Sequence, residues 1–197
     1  MLQDFTLIFE PLVVFGIAAW FRFKRQASLV FSVLLIVYSV YLAKVLDYTV
    51  FQFQSLIVLK HFVPGLILNG QEAGKSVNVV PLVTLTGADL KTSLLNILLM
   101  VPFGFGLPFI ASLRFKAVVA VGVLFSIAIE LLQMITRLVG GVTFRIADVN
   151  DVLFNTIGVS IGYMLFVAFI HIYRHAFRNR EISANPILRY LDERPQV

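Results

Sequence analysis

Five apolar stretches dominate this chain, at residues 5–21, 29–43, 92–113, 117–136 and 152–173. Each is close to the ~20 residues that carry a helix across about 30 Å of hydrocarbon. Within lipid every backbone N–H and C=O has to be paired inside its own segment, which leaves helices or closed barrels. Runs this long and this continuous fit helices. The composition agrees: 59% of residues are hydrophobic and only 14% charged, against about 25% charged in a soluble domain. The expected fold is therefore an all-α integral membrane bundle of five spans. Cysteine is absent, which excludes disulfides and thiolate metal sites.

Lys and Arg set the expected orientation. Ten of them, clustered at 22–25, 114–116 and 174–194, fall on one side, and six fall on the other. The denser side is expected to be cytoplasmic, with the N-terminus outside and the C-terminus inside. The net charge of +5 then reads as basic loops against anionic lipid rather than nucleic-acid binding. The long connection from Lys44 to Lys91 falls outside. Its apolar part, residues 50–68, carries Gln52, Lys60, His61 and Pro64, which suits an interfacial or re-entrant helix better than a span. Residues 1–175 are expected to form the membrane domain. Residues 176–197 read as a polar, loosely ordered cytoplasmic tail.

Polar residues within the last spans are the candidate site, because such residues usually face a bundle interior or a wet cavity. Ser126, Glu130, Gln133 and Arg137 recur at offsets of 4, 3 and 4, within about 60° on one helix face. Asp148, Asp151, Asn155, Gly158 and Gly162 follow at offsets of 3, 4, 3 and 4 and span about 80°. The two helices meet at one loop, so both stripes point to one polar pocket in the outer leaflet. Asn96, one turn inside the third span, is positioned to bond across to Glu130 or Asp151. Pro102 and Pro108 interrupt that span. Gly158 and Gly162 form a small-residue face that seats the last helix against a neighbour. Within the molecule that neighbour is another span, although a dimer would use the same face.

The run NILLMVPFG from Asn96, the S-x-x-x-E-L-L-Q from Ser126 and the block RIADVNDVLFNTIG-x-x-x-G from Arg145 together resemble the VanZ-like membrane family. The VNVVPL run with Asn78 resembles that family's segment before the third span. The resemblance is clearest over residues 76–163. It implies a small multi-pass protein of the bacterial cytoplasmic membrane, associated with low-level resistance to the glycopeptide teicoplanin. It does not supply a reaction. Carried over residue by residue, it covers Asn78, Asn96, Pro102, Gly104, Glu130, Gln133, Arg145, Asp148, Asp151, Asn155, Gly158 and Gly162. Family members often hold an acid between the two aspartates. Asn150 stands there in this chain, which removes a charge and argues against a metal site.

Three readings follow for the polar residues. In the first, Asn96, Glu130, Gln133, Arg145, Asp148, Asp151 and Asn155 bind an amphiphile, either a lipoglycopeptide or a polyprenyl-linked envelope precursor. Arg145 can grip a phosphate or carboxylate in two-point fashion. In the second, Glu130, Asp148 and Asp151 serve a membrane enzyme acting on a lipid-linked substrate, as acid and base or as ligands of Mg²⁺ or Ca²⁺. No cofactor is assigned. In the third they are structural: Asp148 caps the last span and the carboxylates pair with Arg145 or Arg137, leaving the glycine face to meet another envelope protein. Glu10, before Pro11, either reaches the pocket or marks a kink in the first span.

Overall fold

A computed structural model describes residues 16–17, 19–23, 27–50, 71–72, 77–78, 87–140, 142–143, 147–177 and 186–192. Four helices in it are long and apolar enough to cross a membrane: α1 (Leu29–Thr49), α2 (Gly87–Ile110), α3 (Phe115–Gly140) and α4 (Val149–Phe177). α1, α3 and α4 each contain one of the expected spans and extend past it, whereas α2 begins before the expected third span and stops at Ile110, short of its end at 113. Most of the expected first span, with Glu10, and the apolar segment 51–68 lie outside the described residues.

The four helices alternate in direction: α1 lies antiparallel to α2, with Tyr38 meeting Phe103 and Tyr41 meeting Leu99, and short links set the rest. Residues 111–114 join α2 to α3, with Leu113 N donating to Ala111 O at 2.7 Å. A link this short permits only antiparallel neighbours. Ser28 caps α1, accepting from Phe31 N at 3.1 Å, and Thr49 Oγ1 closes its last turn on Val45 O at 2.7 Å. Asp151 stands in the first turn of α4 and Arg174 and His175 in its last, the order that suits the helix dipole. Thr156 and Ser160 donate to the carbonyls one turn back, at 2.7 and 2.9 Å, so their hydroxyls ask for nothing from neighbouring helices.

Glycine decides which helices pack most closely. A methyl at Gly158 would lie under 3.0 Å from Ile97 O, one at Gly162 under 3.0 Å from Val101 O, and one at Gly104 under 3.0 Å from Val159 O. The backbones of α2 and α4 therefore touch along two helical turns, and this is the most extensive interface in the bundle. The small-residue face of α4 is used inside the molecule. α3 leans on the same seam, where Gly122 leaves space for Val159. α1 is peripheral: 11% of its span is buried, against 39% for α2 and α4. Aromatics fill the bundle toward the far ends of α2 and α4. Phe109 meets Phe166 edge-on at 4.9 Å and Phe103 stacks on Phe125 at 5.0 Å.

Two features depart from expectation. The glycines and proline of residues 69–86 (Gly70, Gly74 and Pro81) read as loop in the sequence, yet the segment supplies β1 (Gln71–Glu72) and β2 (Val77–Asn78). β1 pairs antiparallel with β3 (Val142–Thr143), and β2 pairs parallel with β4 (Ala147–Asp148), setting Asn78 opposite Asp148. These pairings link the long connection to the loop between α3 and α4. Two-residue strands have no periodic signal to read in a sequence. The tail, expected to be loosely ordered, holds α5 (Pro186–Asp192). Tyr190 and Leu191 are buried, the Tyr190 hydroxyl donates to Phe109 O, and Tyr173 OH donates to Leu188 O at 2.9 Å.

The glycine seam predicts that Gly158→Ala lowers stability by about 1–3 kcal/mol, the cost of overpacking. Gly158→Leu should prevent the protein from accumulating in the membrane. Gly16→Ala, with nothing within 4 Å of its site, should leave stability unchanged. Thermal unfolding of the purified alanine variants in detergent checks the first and third, and the amount of protein in the membrane fraction checks Gly158→Leu.

Candidate functional site

Directionality brings four helix segments to one end of the bundle: the end of α1, the first half of α2, the last part of α3 and the first turns of α4. Their polar side chains converge there on a single cavity. Thr49, Asn96, Glu130, Gln133, Asp151 and Asn155 line it, over an apolar floor of Leu99, Met100 and Ile129. Asn96 is nine residues into α2, about 14 Å from its start at 1.5 Å per residue. The cavity thus reaches from the end of α1 and the first turn of α4 to more than two turns inside α2. Its free space is about 10 Å³, enough for one water-sized group.

The bonds around the cavity run between helices. Asn96 Nδ2 donates to Asp151 Oδ1 at 2.6 Å, tying α2 to α4. This is shorter than the ~2.9 Å typical of N–H···O bonds. Asn155 Nδ2 donates to Ser126 Oγ at 2.7 Å, tying α4 to α3. Gln133 Nε2 donates to Thr49 O at 2.9 Å, tying α3 to α1. Each helix of the bundle is held to the next by one amide. Asn96, Ser126, Gln133 and Asn155 are all buried. The oxygens Glu130 Oε2, Gln133 Oε1 and Asn155 Oδ1 are buried too, and the last accepts no hydrogen bond among the described residues. An amide oxygen in that condition costs about 1–3 kcal/mol. The arrangement can offer carboxylate and amide oxygens to a donor that enters.

The expected site residues divide into three groups. Asn96, Glu130, Gln133, Asp151 and Asn155 meet at the cavity. Gly158 and Gly162 continue the same face of α4 and seat it against α2. Asp148 is the last residue of β4, directly before α4, a position from which an aspartate can cap the helix. Its side chain, and Arg145 altogether, lie outside the described residues. Thr49 was not anticipated. The expected second span stops at residue 43, whereas the helix continues to Thr49. Continuation of the apolar pattern through Leu46 and Val50 was the available signal. Tyr38 and Tyr41 serve bundle packing, donating to Phe103 O at 3.3 Å and Leu99 O at 2.7 Å. His171 and His175 are exposed at the opposite end of α4.

A double-mutant cycle on Asn96→Ala and Asp151→Ala should give a coupling of about 0.6 kcal/mol, and no more than ~1.7, the average and maximum found for hydrogen bonds between membrane helices. Denaturant unfolding in bicelles measures it. A coupling of zero would remove this bond from the account.

The VanZ/LLP1 family model matches residues 29–171. No curated protein and no solved structure matches the chain. The matched span contains every residue lining the polar cavity and both glycines of the α4 seam, and the chain belongs to the VanZ/LLP1 family.

Proposed function

We propose that this multi-pass membrane protein binds a polar-headed amphiphile in the outer leaflet, at the end of the bundle where the polar cavity lies. By doing so it lowers the sensitivity of a bacterial cell to a lipoglycopeptide such as teicoplanin. The observation that carries this reading is the convergence of two acids, Glu130 and Asp151, with three amides around one enclosed space in an otherwise apolar bundle. Acidic residues at membrane depth are expensive and mark function more often than packing. The space admits one hydroxyl or ammonium group rather than a whole headgroup. The remainder of the head lies beyond it, toward the paired strands that bring Asn78 beside Asp148. Arg145, three residues before Asp148, is the cation assigned to an anionic part of the head, where a guanidinium binds phosphate or carboxylate at two points. The density of Lys and Arg at the other end of the helices supports placing this end outside.

Glu130→Gln and Asp151→Asn keep shape and remove charge. Each should weaken binding of the antibiotic or precursor about ten- to a hundredfold, since a hydrogen bond to a charged group is worth about 1.5–3 kcal/mol. Each should also return teicoplanin susceptibility of expressing cells toward the empty-vector level. Susceptibility assays read against membrane abundance test this. Full protection by both variants at normal abundance would assign the carboxylates to scaffolding and end the binding reading.

A further inference from the structure

The opposite end of the bundle has a second concavity of about 820 Å³, between α1, the second half of α2 and α5. Val33, Val37, Tyr38, Pro102, Phe109 and Ile187 are among its walls. It is apolar for a stated reason. Its two tyrosines, Tyr38 and Tyr41, have their hydroxyls on backbone carbonyls of α2. Gly106 deepens it, since a Cβ there would lie 2.6 Å from the Tyr38 ring. The walls from α1 and α2 fall within membrane-spanning lengths of those helices. Val33 and Val37 are 50% and 62% exposed, so the groove opens sideways onto hydrocarbon. What lies against such a surface in a bilayer is a lipid chain.

The end of the groove is closed and basic. α5 supplies Pro186, Ile187 and Leu191 to its wall, and α5 is pinned by the Tyr190 bond to Phe109 O and the Tyr173 bond to Leu188 O. Arg189 stands exposed between Ile187 and Leu191. Arg22 bonds to Ala27 O at 3.4 Å, two residues before Leu29 enters the groove wall. Arg114 and Lys116 are exposed at the same end of the bundle. Cations clustered beside the membrane attract anionic lipid headgroups.

We propose that this groove is a binding site for one anionic phospholipid, with an acyl chain along α1 and α2 and its phosphate served by Arg22 and Arg189. The site is at the opposite end from the polar cavity and does not depend on the function assigned there. Its occupant is an ordinary membrane component, held longer than the lipids that merely surround the bundle.

Native mass spectrometry of the full chain, released from equal amounts of phosphatidylglycerol and phosphatidylcholine, tests the proposal. The wild type should retain one phosphatidylglycerol at least about fivefold over phosphatidylcholine, the ratio that ~1 kcal/mol from a single basic residue gives. Val37→Trp fills the groove and should abolish that adduct. Leu124→Trp, at a position on α3 that is 67% exposed and does not line the groove, should keep it. Arg22→Gln with Arg189→Gln should keep the fold and lose the preference for phosphatidylglycerol, which decides the matter if Val37→Trp fails to accumulate. Equal retention of both lipids by the wild type overturns the proposal. So does a phosphatidylglycerol adduct that survives Val37→Trp or keeps its selectivity in the arginine variant. A protein dimer dissolved by Val37→Trp, with no lipid bound, would give the groove to a second copy of the chain instead.

Discussion

The contact of bare backbone between α2 and α4 is what the rest of this molecule depends on. In lipid no hydrophobic force drives one apolar helix against another, so association relies on close packing and on hydrogen bonds between helices. Gly104, Gly158 and Gly162 remove the side chains that would hold the two axes apart. Backbones this close admit Cα–H contacts to carbonyl oxygens, worth about 0.5–1 kcal/mol each where they form. The contact also fixes a rotation. With Gly158 and Gly162 seated against α2, the turns of α4 that precede them bring Asp151 to Asn96 and Asn155 to the cavity. The glycine seam and the polar cluster are one face read at two depths.

Hydrogen bonding then completes what packing begins. Amide donors make the ties between helices around the cavity: Asn96 to Asp151, Asn155 to Ser126 and Gln133 to Thr49 O. An amide inside a bundle is less costly to bury than an ion, and it leaves an oxygen over once its nitrogen is used. Asn155 Oδ1 is such an oxygen, buried and accepting no hydrogen bond among the described residues, and it gives the cavity acceptor character. A site rich in acceptors is a consequence of using amide donors to hold the helices together.

Much of this was legible in the sequence, and the reason is periodicity. Offsets of 3 and 4 place Glu130 beside Gln133 and Asp151 beside Asn155 whatever the surroundings, so the polar faces and the glycine face could be read from spacing alone. Asn96 reached Asp151 because three antiparallel helices allow few other meetings of polar residues. Helix ends were harder. The extension of α1 to Thr49 depends on a cap bond within the helix and on a partner, Gln133, 84 residues away. The strand pairs β1–β3 and β2–β4 are too short to leave a pattern. The docking of α5 rests on two tyrosine hydroxyls and two α-helical carbonyls, a long-range choice that a polar tail composition conceals.

α2 also explains why the two ends of the bundle differ in chemistry. It carries Pro102 and Pro108 inside the helix, and each lacks the N–H that its turn would use. On the α4 side of this stretch Gly104 is packed against Val159. On the α1 side Gly106 accepts the face of Tyr38. One short segment is therefore closed tightly against one helix and open to another. Tyr41 stands at the divide: its ring lines the apolar groove, and its hydroxyl bonds to the carbonyl of Leu99, whose side chain floors the polar cavity. Below that tyrosine every wall is hydrocarbon, and above it donors and acceptors face one another. α2 thus sorts polar from apolar surroundings along its own length, holding its tight seam on one side and its groove on the other.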